Sequence, residues 1–139
     1  MNTLAIVLKA PGELSLDRVS LIPAGPDDLV IDVEFSGIST GTERLLWSGR
    51  MPAFPGMGYP LVPGYESIGR VIDAGASAKA RIGERVFVPG SNCYADVRGL
   101  FGGAARRLIA PSARVANIAE GAGEDSVLLA LAATAYHAL

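Results

Sequence analysis

DLVIDVEF, residues 28–35, alternates. Leu29, Ile31, Val33 and Phe35 fall on one side of an extended chain, and Asp28, Asp32 and Glu34 on the other. Successive side chains of a strand point to opposite faces, so this stretch predicts a half-buried β-strand. Upstream, residues 3–9 are an apolar run and residues 13–19 alternate, which predicts a hairpin; Pro23, Gly25 and Pro26 then mark a loop. Downstream, residues 42–48 predict a short helix with a hydroxyl or backbone cap. Residues 50–64, RMPAFPGMGYPLVPG, hold four prolines and three glycines and predict a rigid loop. Strands are expected over 65–74 and 84–88, with Gly83 at the turn between them, and over 105–109 and 114–118. Residues 124–139 change character: SVLLALAATAYHAL lacks Gly and Pro and predicts one helix, with Glu124 and Asp125 at its positive end.

The 139 residues suit one domain with a real core, and 50% of them are apolar, which excludes a disordered chain. A formal net charge of −2 gives no basic patch for nucleic acid. One Cys and one His exclude, within this chain, a disulfide or a zinc cage of four cysteines or of two cysteines and two histidines. The apolar run 127–139 is shorter than the roughly 20 residues a membrane span needs. MNTLAIVLKAPGE lacks a basic leader region, so a cytoplasmic location is expected. Two glycine pairs, Gly56-Met-Gly58 and Gly121-Ala-Gly123, fail as dinucleotide fingerprints, because Leu61 and Ser126 stand at the sixth position and neither pair follows a buried strand. The last helix shows no stop signal. It is therefore expected to lead onward, with residues 1–123 as one domain and 124–139 as the start of a linking helix.

An ordered series of segments carries more information. It runs SGISTGTE (36–43), LVPGYE (61–66), a G-x-V-x-x-A-G turn (69–75), GERV (83–86), GGAARRLIAP (102–111) and LAATAYHAL (131–139). In this order and spacing the series resembles the N-terminal, GroES-like catalytic domain of medium-chain dehydrogenases, across essentially the whole chain. The resemblance implies a mainly β, partly open barrel with short helices and a C-terminal helix leading to a Rossmann domain outside this sequence. SGISTGTE followed by LLWSGRMPAFPGMGYPLVPGYES is similar to the branch of that family that acts on bacteriochlorophyll precursors.

The departures from the family pattern bear on the chemistry. Where zinc members carry two cysteines and a histidine, this sequence has Ser39, Tyr65 and Ala130, and the four-cysteine structural lobe is missing, since Cys93 is alone in its region. The resemblance therefore implies a zinc-free branch. Without a metal to acidify the alcohol, a side chain must take its proton. Tyr65 is the first candidate, since it stands at a ligand position. Glu43 and Glu66 are the carboxylates that would orient it, and Ser39 and Thr40 would hold the alcohol oxygen. The alternative for Tyr65 is a half-buried tyrosine without a role, and for Glu66 a structural carboxylate paired with Arg. Ala130, Thr134 and His137 share one helix face. By resemblance, Thr134 contacts the nicotinamide, and His137 ranks second as base, against the alternative of a histidine meeting the last helix carbonyls. Trp47, Met51, Phe54, Met57 and Tyr59 read either as core packing under a loop or as an apolar wall for a large flat ligand.

The expected function is the substrate-binding half of an NAD-dependent, zinc-free alcohol dehydrogenase. Its substrate would be a tetrapyrrole, whose 3-(1-hydroxyethyl) group becomes acetyl. NAD would be held mainly by the domain outside this chain, so the chain alone is expected to be inactive. Any homo-oligomer would form through that domain. A zinc-free quinone or enone reductase domain and a non-catalytic pigment-binding module are the alternatives.

Overall fold

The structure, a computed structural model, describes residues 1–138. Nine strands form two sheets. The N-terminal hairpin is β1 (Asn2–Ala10) and β2 (Glu13–Ser20), paired in register from Asn2↔Ser20 to Leu8↔Leu14. Two short strands, β4 (Leu61–Val62) and β7 (Arg98–Gly99), extend it into a sheet of order β2-β1-β4-β7. The second sheet runs β8-β3-β5-β6-β9. It comprises β3 (Asp28–Ser36), β5 (Ser67–Ala74), β6 (Arg85–Val88), β8 (Arg107–Pro111) and β9 (Ala116–Asn117). The sheets meet where Ile6 N–H donates to the Ala104 carbonyl and Arg106 N–H donates to that of Leu4. The mainly β, partly open barrel with short helices is thus the architecture that the resemblance implies.

DLVIDVEF is central, with β8 on one side and β5 on the other. Its burial departs from strict alternation. Leu29, Val30 and Ile31 are all buried, and Phe35 is 42% exposed. Register shifts against β5 between Val30 and Ile31, and between Val33 and Phe35, rotate the side chains out of a two-residue period. The carboxylates of this strand meet arginines. Asp32 receives two hydrogen bonds from Arg107, and Glu34 lies 2.7 Å from Arg85.

The main core gathers inward side chains of both sheets, among them Val7, Leu29, Ile31, Val71, Val86 and Leu108. A second cluster of Leu8, Leu46, Leu61 and Leu100 anchors helix α1 (Thr42–Trp47) to the hairpin. Helix α1 starts at Gly41 without a side-chain cap. Residues 65 and 66 precede β5 rather than opening it, and the strand expected over 114–118 shortens to β9 after a 3₁₀ turn, Ser112–Arg114.

The single helix expected over 124–139 divides. A 3₁₀ turn, Glu124–Leu128, packs against β3 and β5, and α2 (Leu129–His137) follows. The turn brings Val127 beside Gly37, where a Cβ would lie 3.3 Å from Val127 Cγ2. Leu139 lies outside the described residues. Among those described, no helix is long and apolar enough to cross a membrane.

Candidate functional site

The SGISTGTE segment and the LVPGYE segment converge. The Tyr65 phenol donates a hydrogen bond to Ser39 Oγ at 2.7 Å, and Thr42 Oγ1 lies 3.4 Å from the same phenol oxygen. Gly64 sets this up: its φ of +95° is open to glycine at little cost, and a Cβ there would press the Ala104 amide at 3.0 Å. The Tyr65 ring meets Phe101 edge to face, with centroids 5.7 Å apart. Phe101 is itself held, because its carbonyl accepts from Ser91 N–H, and Leu100 and Gly102 both donate to Val62. The phenol is thus fixed by its ring packing, and its oxygen is shared between two hydroxyls. Thr42 and Phe101 escaped the sequence reading. Phe101 lies 36 residues from Tyr65, and only the sheet topology joins them.

Two carboxylates lie beside this cluster. Both Glu43 oxygens and Glu66 Oε1 are buried without a hydrogen-bond partner among the described residues. Burial raises the Glu43 pKa above the usual carboxylate range, the nearby Glu66 charge adds to the rise, and the amides of Glu43, Ser39 and Gly64 oppose it. Glu66 is 2% exposed. Gly37 makes room for it, since a Cβ there would overlap the Glu66 carboxylate. The alternative for Glu66, a pairing with an arginine, is not formed among the described residues.

Ser39, Thr40 and Glu43 line a cleft of about 990 Å³. One wall is the outer face of the hairpin, where Leu4, Ile6 and Leu8 stand beside Leu14 and Leu16. The other is made by Val33, Phe35, Ile38 and Trp47. Leu14, Leu16, Phe35, Ile38 and Trp47 are 55%, 64%, 42%, 79% and 45% exposed, an unusual grouping of large apolar side chains on a surface. Of the five residues expected to form an apolar wall, the cleft takes only Trp47. Met51, Met57 and Tyr59 pack on the second core cluster, and the Tyr59 hydroxyl donates to the Leu46 carbonyl. Phe54 is exposed outside the cleft lining. The proline-rich loop therefore carries the packing alternative for Met51, Met57 and Tyr59.

Thr134 and His137 lie on α2, which buries no residue. The Thr134 hydroxyl donates to the Ala130 carbonyl at 2.9 Å, and His137 is exposed in the last turn. Neither is hydrogen-bonded to the Tyr65 phenol, as Ser39 and Thr42 are, or stacked on its ring, as Phe101 is.

The donor set at Ser39 and Tyr65 does not fit a zinc ion. A hydroxyl and a phenol replace thiolate and imidazole, and among the described residues no three His, Cys, Asp or Glu side chains stand together as a ligand group. Cys93 is buried in the main core, where burial pushes its thiol pKa up, away from the thiolate a metal requires. Neither glycine pair opens an α-helix. Gly56 sits in the proline-rich loop, and Gly123 precedes a 3₁₀ turn rather than a helix.

A family model described as the alcohol dehydrogenase GroES-like domain matches residues 25–120. The chain is 51% identical over 140 residues to 2-desacetyl-2-hydroxyethyl bacteriochlorophyllide A dehydrogenase of Rhodobacter capsulatus, covering 100% of this chain and 45% of that protein. It is 51% identical over 144 residues to the enzyme of the same name from Cereibacter sphaeroides, with the same coverage. Among solved structures, CAD from Helicobacter pylori complexed with NADP(H) superposes with a TM-score of 0.81 at 20% identity, covering 100% of this chain and 48% of that one. ECK1772 from Escherichia coli, an oxidoreductase/dehydrogenase of unknown specificity, gives 0.79 at 22% identity, over 99% and 46%. The chain spans about half the length of the curated relatives it matches.

Proposed function

Because the chain belongs to the GroES-like domain family of alcohol dehydrogenases, we propose that it is the substrate-binding, catalytic domain of an NAD-dependent enzyme. That enzyme oxidises the 3-(1-hydroxyethyl) group of a (bacterio)chlorophyllide to acetyl. The observation that carries this reading is the apolar cleft lined by the Ser39 and Thr40 hydroxyls, with the Tyr65 phenol, itself outside the lining, hydrogen-bonded to Ser39 Oγ. A flat macrocycle gains affinity mainly by covering apolar surface, and the hairpin face with Phe35, Ile38 and Trp47 offers such surface. The likeness over the full chain to two bacteriochlorophyllide dehydrogenases supports the same substrate class.

The chain's own part in the reaction is to hold the alcohol oxygen and to take its proton. In this reading the proton goes to Tyr65, whose ring packs on Phe101 and whose phenol is hydrogen-bonded to Ser39. In one concerted shift, the alcohol proton passes to the phenol oxygen as the phenol proton moves onto Ser39 Oγ and the Ser39 proton leaves to solvent. NAD, held mainly by other parts of the whole protein, supplies the hydride acceptor when bound. The reaction is proposed to run without zinc, since the donors at Ser39 and Tyr65 do not suit that ion.

The test is turnover by the whole protein of a hydroxyethyl chlorin against a simple quinone. The reading predicts NAD-dependent acetyl formation with the chlorin. Reduction of the quinone with no chlorin turnover would replace it with a quinone reductase, and chlorin binding without turnover would point to a pigment-binding module.

A further inference from the structure

Resting on the chlorophyllide reading above, we propose that Arg106 is a specificity residue, binding the free carboxylate of the substrate at the Leu4 end of the cleft. A chlorophyllide, unlike an esterified chlorophyll, carries a propionate whose charge an apolar cleft does not satisfy. Its attachment point lies on a different edge of the macrocycle from the hydroxyethyl group, so the cation that meets it must stand away from Tyr65.

Arg106 stands there. The segment 104–106 runs along the cleft. Ala104 N–H donates to the Pro63 carbonyl beside Gly64, and two residues on, Arg106 N–H donates to that of Leu4. Arg106 stands at a bend immediately before β8 (Arg107–Pro111). The backbone at Arg106 is pinned from both sides, since its carbonyl also accepts from Val33 N–H at 2.9 Å. Its side chain lines the cleft, is exposed, and makes no ion pair or hydrogen bond among the described residues.

The acids at that end are already matched. Asp32 takes two hydrogen bonds from Arg107, one of them at 2.9 Å. Glu34, the carboxylate that lines the cleft with Arg106, lies 2.7 Å from Arg85 and 3.7 Å from Arg70. One positive charge is left over at the rim of an apolar cleft, and a carboxylate is what it complements. The other cation on the cleft, Arg44, lies on α1 next to Glu43, at the end where the alcohol would react.

The experiment compares a hydroxyethyl chlorin free acid with its methyl ester, using the whole protein, chlorin fluorescence for Kd and turnover for KM. The wild type should bind the acid about two- to fivefold tighter than the ester, as a rim ion pair allows, and the advantage should shrink as salt is raised. Arg106→Gln should weaken the acid alone and erase the difference, while Arg44→Gln should preserve it. Equal affinity for acid and ester in the wild type would overturn the assignment. So would an Arg106→Gln protein that weakens both alike, or an Arg44→Gln protein that erases the difference. Failure of either chlorin to bind at all would overturn the substrate reading, and this assignment with it.

Discussion

Replacing Leu14 and Leu16 together by alanine separates the cleft wall from the core beneath it. Both side chains point outward from β2, opposite Leu8 and Ile6, and are 55% and 64% exposed. Folding leaves most of their surface in water, so their removal costs little stability, about 0.2–1 kcal/mol for each cross-strand pair. A macrocycle lying on the hairpin would cover that surface. Full burial of a leucine is worth about 1.5–3 kcal/mol, and roughly half of this remains available at each position. With part of the surface kept by the alanines, the pair should contribute about 2 kcal/mol to binding, close to a 30-fold change in Kd. Fluorescence titration of the whole protein with a hydroxyethyl chlorin reads this directly. Tyr59→Ala is the contrast. Tyr59 packs on Leu8, Leu46, Leu61 and Leu100, so its loss should lower the melting temperature and leave the affinity of the folded fraction unchanged. Unchanged affinity in the leucine double variant, with weakened affinity in Tyr59→Ala, would refute the placement of the wall.

Tyr65→Phe keeps the ring against Phe101 and deletes only the shared hydroxyl, so Kd for the chlorin should hold while kcat falls by about 10²-fold or more; a kcat within a few-fold of wild type would make Tyr65 structural. Glu43 has a pKa raised by burial, so the folded state holds its proton more tightly than the unfolded chain does. Wild-type stability should therefore fall as pH rises from the ordinary glutamate range through the raised value of Glu43. Glu43→Gln should escape that loss, so its melting temperature should gain on wild type across this window and show no such gain below it; parallel curves would contradict the buried-carboxylate account. A strong chelator should leave turnover by the whole protein unchanged, whereas loss of activity restored by added zinc would show that other residues supply the ligands Ser39 and Tyr65 lack.

The strands were legible because turn residues bound them and one face of each is apolar. DLVIDVEF shows how far that goes. Its existence follows from alternation, but the burial of Val30 and the exposure of Phe35 depend on bulges set by β5, which the period of two does not contain. In the proline-rich loop, Met and aromatic residues suit a ligand wall and a core equally, and only the fold shows Met51, Met57 and Tyr59 turning toward Leu46. The true cleft wall left a signal in the LAIVL run of β1, which is apolar on both faces. One face meets the core, as at Ala5 and Val7, and the other, at Leu4 and Ile6, faces the cleft. The Ser39–Tyr65 contact was foreshadowed by the two motifs that supply it, while Thr42 and Phe101 required the three-dimensional arrangement. The bend at Glu124–Leu128 escaped because nothing in an Ala- and Leu-rich run marks where packing on β3 and β5 interrupts a helix.

A crystal structure of the whole protein with a hydroxyethyl bacteriochlorophyllide tests the central claim most directly. The account predicts the macrocycle over Leu14, Leu16 and Trp47, with the hydroxyethyl oxygen within hydrogen-bond distance of the Tyr65 phenol. A macrocycle seated on Phe54 and Tyr59, or a hydroxyethyl group turned away from Tyr65 and Ser39, would contradict it.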